Sequence, residues 1–512
     1  MKPIVFLLLA TFFGGSTQQG VRFYVIRQWK YINFTWPNED ALKTATAKGL
    51  YVPENVVVSG VKYHDDFFYV TLPRMKEGVP ATLTRIPAGQ VQDYAPDLEP
   101  FPSWEMNDVE DCMNLQNVQN VEIDAKGQMW IIDGGRVQTL TKPVVKCPPK
   151  LVIYDVKGMS VKEVHQFPEE VASRNGSFLY DLVVDNTDEG FAYITDNSAH
   201  DPGLIVYSVK ENRSWKIRDT KTMSADPSAI NFSVNEIPIN TPINIAAIAL
   251  GPKIHTSNEK VVVNEDREVY YCPLSSLHLY SINTTVLRNE NLAKTNLETS
   301  IKDIGLKPSQ TVGMVMDNQG ILYYSLLGNN AIGRWDSHTP FQSGQRLIAR
   351  DPKYLEWPNS FTFDKNGNLT VLTNGLNRFI FDKMNLSEYN FRMISAFVGG
   401  TSYLYDDKFN YDLSTEGSST SSSTMRSTSA EPTPGHEHQH EHEHQHEHEH
   451  DHMPTSTDTV TTTERSGTSR FVVTLGQALV FFECYWSGLV RTGNAKSWCS
   501  LMVPDHVRSH QV

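Results

Sequence analysis

Three short phrases end in residues that could do chemistry: Asp133 in WIIDGG, Asp196 with Asn197 in YITDNS, and Asn374 in VLTNGL. Carboxylate and amide oxygens gathered around one axis are hard donors, of the kind that hold calcium or magnesium. The same groups have a plainer use, accepting hydrogen bonds from the backbone of the loops that follow them. A metal-dependent hydrolase would also need an acidic ligand from the N-terminal region and a general base, and the sequence offers no such set. Before Leu413 there is no Ser–His–Asp arrangement, phosphate loop or zinc spacing, and His64, His165, His200, His255, His278 and His338 are scattered singly. No cofactor is required by anything in this region.

The other reactive side chains are cysteine and a histidine tract. Cys112 and Cys147 flank the phrase VEIDAKGQMWIID and are the best candidates for a disulfide in an oxidising compartment. Cys272, inside VYYCPLSSLHLYSI, reads as a small buried thiol with no activating base beside it in the chain. Cys484 and Cys499 pair with each other or with nothing. Residues 436–452, HEHQHEHEHQHEHEHDH, hold nine of the seventeen histidines: His436, His438, His440, His442, His444, His446, His448, His450 and His452. Alternate imidazoles of an extended chain share a side, so the tract could take up zinc, copper or nickel adventitiously, less well as pH falls.

The elements that must position these groups come from a repeat. VEIDAKGQMWIID at 121 returns as LVVDNTDEGFAYITD at 182, MVMDNQGILYYSLL at 314 and FTFDKNGNLTVLTN at 361, with weaker copies from 58 and 248. Each copy is an apolar strand-like run, a polar turn and an aromatic-rich run. Four antiparallel strands with their loops need roughly 40 to 60 residues, the size of a propeller blade. Six copies predict an all-β, six-bladed β-propeller; a pair of β-sandwiches would not explain the repetition. Asp124, Asp185, Asp317 and Asp364 are expected to serve the turns. The segment from Val21 predicts a strand that closes the ring and a short helix over Glu39 to Lys48.

The ends and the charge set the compartment. MKPIVFLLLATFFGGS has a lysine, a short apolar run and small residues, the pattern of a secretory signal cleaved between about Ser16 and Gly20. Secretion would make seven Asn-x-Ser/Thr sites available to glycans, at Asn33, Asn175, Asn212, Asn231, Asn283, Asn368 and Asn385. A net charge of -14 without basic clusters argues against nucleic acid.

Four longer phrases carry a resemblance: WKYINFTWPNEDALKTATAKGLYVPENVVVSGVKYHDDFFYVTLPRMKEGVPATLTRIP, DLVVDNTDEGFAYITDNSAHDPGLIVYS, REVYYCPLSSLHLYSINTTVLRN and FRMISAF. Together, from about Trp29 to Phe397, they resemble the insect yellow and major royal jelly proteins. That resemblance implies a secreted six-bladed propeller acting in pigmentation and melanin metabolism. One departure is Lys126, which stands where much of the family has a cysteine; Cys112 and Cys147 match family cysteines. Yellow-related salivary proteins of blood-feeding flies bind biogenic amines through a Thr and a later Asn–Gly–Phe on the last blade. Here Asn359 stands at the Thr position, Asn374 at the Asn and Leu376 at the Phe. The resemblance therefore implies a small aromatic amine or catechol as ligand. It also admits dopachrome conversion, for which no proton acceptor is evident, and a structural role in cuticle, eggshell or extracellular matrix.

The propeller is expected to occupy residues 21–413, after a signal peptide over 1–20. A Ser/Thr-rich linker over 414–435 and the His/Glu tract over 436–452 are too poor in apolar groups to pack and are expected to be disordered. A tail over 453–512 contains FVVTLGQALVFFECYWSGLV. That stretch reads as a weak membrane span or an altered chain end. Gln477 and Glu483 interrupt it, and the polar residues after it speak against a lipid-anchor signal.

Overall fold

A computed structural model describes residues 21–89, 94–187, 190–257, 260–263, 266–405, 470–475 and 478–483. The described residues of the first unit include six four-stranded antiparallel sheets. Their innermost strands are Val61–His64, Val118–Ile123, Leu179–Asp185, Ile245–Leu250, Met314–Met316 and Pro358–Phe363, one for each copy of the phrase. Consecutive inner strands contact one another, and the last contacts the first, so the sheets form a closed ring. The six-bladed propeller is as the repeat predicts.

The inner strands are buried along most of their length because blades pack against both of their faces; Val118–Ile123 and Leu179–Asp185 are buried at every position, polar residues included. Outer strands face water and carry charge, as in Ser160–Gln166, where Lys162 and Glu163 stand between valines. Blade 6 supplies only three strands of its own. The N-terminal strand Tyr24–Trp29 is its fourth, antiparallel to Phe391–Phe397 with Trp29 opposite Phe391 and a bulge between Val25 and Arg27. The same strand holds blade 1: Arg27 donates to the carbonyls of Pro87 and Gly89, and the Trp29 indole donates to Pro96. A helix follows at Glu39–Ala47, where the sequence predicts one, capped by Asn38.

Three of the four turn carboxylates serve their turns. Asp124 accepts from the N–H groups of Lys126 and Gln128, and Gly127 at φ +75° lets the chain reverse. Asp317 and Asp364 repeat the arrangement. Asp185 does not. Its turn runs Asp-Asn-Thr-Asp-Glu-Gly, two residues longer, and its buried carboxylate instead meets Arg267 and, at 2.5 Å, Arg288, and accepts from the Tyr193 hydroxyl at 2.9 Å. Burial alone would raise the pKa of Asp185, but the two guanidiniums outweigh it and hold it below the usual carboxylate range.

Cys112 and Cys147 form a disulfide with Cα atoms 5.5 Å apart, tying the long loop of blade 2 to the approach to its inner strand. Cys272 is free and buried, but its neighbour was missed by the sequence reading: the Lys307 amine lies beside it. Burial raises the thiol pKa and lowers that of the lysine, which donates to the carbonyl of His278 at 2.7 Å. The thiol therefore stays protonated and inert.

In the second unit the described residues form an antiparallel hairpin, Arg470–Leu475 with Ala478–Glu483. The hairpin takes in part of the apolar stretch 471–490, whose β-branched and aromatic residues favour strands. No helix among the described residues is long and apolar enough to cross a membrane. The linker, the histidine tract, Cys484 and Cys499 lie outside the described residues.

Two outcomes follow for stability. Cys112→Ser should lower the unfolding free energy by about 4 kcal/mol, read from denaturant melts, since the bridge closes a loop of 35 residues. Asp185→Asn, which strands two guanidiniums, one of them fully buried, should cost roughly 3–5 kcal/mol. A loss below 1 kcal/mol would show that the arginines find other partners.

Candidate functional site at the channel mouth

Where the inner strands begin, side chains from neighbouring blades meet through short polar bonds. The Asn359 amide donates to the Ser59 carbonyl at 2.7 Å, joining blade 6 to blade 1, and the Asn374 amide donates to Val58 at 2.8 Å. Gln119 of blade 2 donates to the Ser59 hydroxyl at 2.7 Å. The approach is close enough that a Cβ on Gly313 would strike the Asn359 carbonyl, so blades 5 and 6 need glycine there.

The mouth itself is spanned by a tyrosine. Tyr180, at the start of the inner strand of blade 3, donates its hydroxyl to the Asn359 Oδ1 of blade 6 at 3.2 Å, and the Trp357 indole donates to the same oxygen at 3.2 Å. Blades 3 and 6 stand opposite each other in the ring, so this bond crosses the channel. Phe178 stacks near Tyr180 with ring centroids 6.4 Å apart. Burial raises the Tyr180 hydroxyl pKa well above its ordinary value and keeps it a donor.

Beneath that bar the channel holds charge. Lys62 pairs with Glu122 at 2.9 Å, and the Asn120 amide donates to Asp181 Oδ1 at 2.7 Å. Lys62, Glu122 and Asp181, together with Met314, Met316 and Tyr403, surround a cavity of a water molecule's size. Tyr403 comes from the segment after the last blade and closes the far end. Its hydroxyl accepts from Val184 N at 3.0 Å and faces Glu122 at 3.5 Å, and the neighbouring Ser402 bridges to Asp317. Burial pushes the Asp181 carboxyl up to about 7, against the pull of Lys62.

Of the residues singled out from sequence, Asn359 and Asn374 both lie at the mouth with their amides bonded to blade 1, and Asn374 Oδ1 also accepts from Leu376 N at 3.2 Å. Leu376 opens a short helix, Leu376–Phe381, and is packed into the core. Asp133 accepts from the N–H groups of Gln116, Asn117 and Gly135 and pairs with Lys150 at 3.3 Å. Asp196 accepts from Phe178 N, Ser198 N and the Ser177 hydroxyl and pairs with Lys216 at 2.8 Å. Asn197 reaches the Asn244 carbonyl at 3.3 Å. These groups thus bind loops, and among the described residues no three His, Cys, Asp or Glu side chains are grouped to hold a metal ion. Among the glycosylation candidates, Asn175, Asn212, Asn231 and Asn385 are exposed. Asn33, Asn283 and Asn368 are half-buried, with amides bonded to Asp97, Glu268 and Asp364.

Most residues of this site were not found from sequence, Lys62, Glu122, Asp181 and Trp357 among them; Tyr180, Tyr403 and Arg74 are three further cases. Tyr180 and Tyr403 sit in aromatic-rich stretches that look like core. Arg74, in LPRMKEGVP, is fully buried and gives all five of its N–H groups to carbonyls of Val79, Pro80, Asn107, Leu115 and Gln116, fastening the loops of blades 1 and 2 around the mouth. Its pKa is pushed down to about 10 by burial.

The Asp181 shift has a sign that can be tested. An unfolded aspartate titrates near ~3.9, so between about 4 and 7 the folded state binds the proton that the unfolded state has lost. Stability should therefore fall as pH rises through that window. Asp181→Asn, which keeps one oxygen to accept from Asn120, should flatten that fall and raise the melting temperature at pH 8 relative to wild type; an unchanged pH profile would assign the proton elsewhere.

The chain is similar to known proteins at several levels. Protein yellow of Drosophila pseudoobscura pseudoobscura is 29% identical over 412 residues, covering 77% of this chain and 70% of that protein. Protein yellow of Drosophila melanogaster is 29% identical over 380 residues, covering 72% and 67%. A luciferin-regenerating enzyme of known structure aligns over 68% of this chain and 94% of its own, at 10% identity and a TM-score of 0.39. Residues 116–400 match the major royal jelly protein family, which spans blades 2 to 6 and more than half of the sequence. The chain belongs to the major royal jelly protein family, to which the yellow proteins it resembles are related.

Proposed function

We propose that this is a secreted yellow-type protein that acts extracellularly in pigmentation and melanin metabolism by binding a small aromatic amine or catechol at the channel mouth. The observation that carries this reading is the mouth's composition: Phe178, Tyr180 and Trp357 beside the amides of Asn359 and Asn374, above a channel whose far end is closed. Rings flanked by polar atoms suit a flat ligand that carries hydroxyls or a cation. The apolar leader at the N-terminus supports secretion, and the exposed sites at Asn175, Asn212, Asn231 and Asn385 are those best placed to carry glycans.

Dopachrome conversion is the second reading. It would need a proton acceptor, and Asp181 has a carboxyl near neutrality on the channel wall. The cavity beside it is of water's size, however, and Tyr180 lies between it and the mouth, so a bicyclic substrate would have to displace the tyrosine to reach it. That favours a carrier. A matrix role in cuticle or eggshell would leave the mouth without a ligand.

Calorimetric titration of the full-length protein with dopamine and serotonin tests the reading. One-to-one binding in the micromolar range is expected for at least one of them. Tyr180→Phe frees the Asn359 oxygen of one competing donor and should tighten binding about fivefold, the worth of one hydrogen bond. No heat with either amine, in wild type or variant, would sink the carrier reading.

A further inference from the structure

The mouth is covered in this structure. Tyr180, Trp357, Asn359 and Asn374 are each at most 8% exposed, so a ligand outside the protein cannot touch them. Part of the cover is chain that the blades do not use. The connection from blade 3 to blade 4 runs over residues 218–244, whereas 307–313 and 351–357 suffice for the next two. Connections of that length are uncommon unless they carry a function. Within it Phe232–Val234 and Ile237–Ile239 pair antiparallel as a sheet of their own, outside every blade. Their two-residue turn has Asn235 and Glu236 both at positive φ, 48° and 68°.

The register sorts this hairpin into two faces. Phe232, Val234, Ile237 and Ile239 share one; Ser233 and Pro238 share the other and are exposed. Val234 and Ile239 are fully buried, in the apolar cluster that also holds Tyr180, Trp357, Leu376 and Phe379. The apolar face therefore lies against the mouth. Although the hairpin leaves from blade 3 and returns to blade 4, its side-chain ties reach blades 5 and 6. Gln310 donates to the Ala229 carbonyl at 2.9 Å, Asn235 to the Pro352 carbonyl at 2.8 Å, and Asn377 to the Val234 carbonyl at 3.2 Å. The helix under it, Leu376–Phe381, is fixed by other bonds: Lys76 donates to the Phe379 carbonyl at 2.9 Å, and Asn377 and Arg378 both bond Glu356. The support would stay in place if the hairpin left it.

We infer that the hairpin Phe232–Ile239 is a lid, shut in this structure, and that the mouth is reached only when it swings away as one piece. A two-stranded hairpin is marginally stable alone and owes its order to the surface beneath it. Elements outside the main ladders open at a lower free energy than the core. The affinity of any ligand is then its affinity for the open form scaled by the fraction open, so lid residues that touch no ligand set it. What the lid guards rests on the reading of the mouth as the ligand site; its opening can be followed with no ligand present.

Thiol labelling of the full-length protein, resolved by peptide mass spectrometry, is the test. Val234→Cys puts a thiol on the inner face of the lid. Ser59→Cys, in a separate variant, puts one at the mouth and leaves the lid itself native. The buried Cys272 reports global unfolding in both. Each new thiol should label at least tenfold faster than Cys272. Asn235→Gly suits the positive φ and removes the tie to Pro352; it should speed both thiols about fivefold, the worth of one hydrogen bond, and leave Cys272 unchanged. Labelling of either thiol no faster than Cys272 would overturn the lid. So would a Ser59→Cys rate that ignores Asn235→Gly, because the mouth would then have another entrance. A lid that opens in this assay while no amine binds in the titration would remove the carrier reading and leave the lid standing.

Discussion

A propeller has no terminus of its own, and its ring must be shut by pairing chain that is distant in sequence. Here that pairing is the antiparallel ladder between Tyr24–Trp29 and Phe391–Phe397. Without it, blade 6 would expose a three-stranded edge and blade 1 would lose the contacts that Arg27 and Trp29 make. The bonds that build the mouth, Asn359 to Ser59 and Asn374 to Val58, also join blade 6 to blade 1. Their geometry exists only while the ring is shut. Closure must wait as well: at about 5–20 residues per second of synthesis, the first strand stays unpaired for roughly 20 to 70 s before its partner is made.

The buried charged groups draw their partners from neighbouring blades and loops. Arg74 gathers five carbonyls, Asp185 gathers two arginines, and Asp133 and Asp196 each combine loop N–H groups with one lysine.

Periodic features were legible in the sequence and pairwise ones were not. The six phrases, the closing strand, the helix near Glu39 and the all-β class follow from patterns that recur or that involve near neighbours. The Cys112–Cys147 pair was also readable, because few cysteines compete for it. Asp185 shows the limit. As a letter in a repeated phrase it looks like its counterparts, and only Arg267 and Arg288, 82 and 103 residues away, give it a different task. Tyr180 and Asn359 are 179 residues apart, and no local pattern tells that their side chains meet across the channel. Lys307 beside Cys272 is hidden for the same reason.

The position of Tyr403 has a consequence for traffic. A propeller open at both ends is a conduit, in which a solute can arrive from one side and leave by the other. With the Tyr403 hydroxyl fixed to Val184 and set against Glu122, the channel becomes a dead end. A water molecule that reaches the cavity past the hydroxyl of Tyr180 must leave by the way it came.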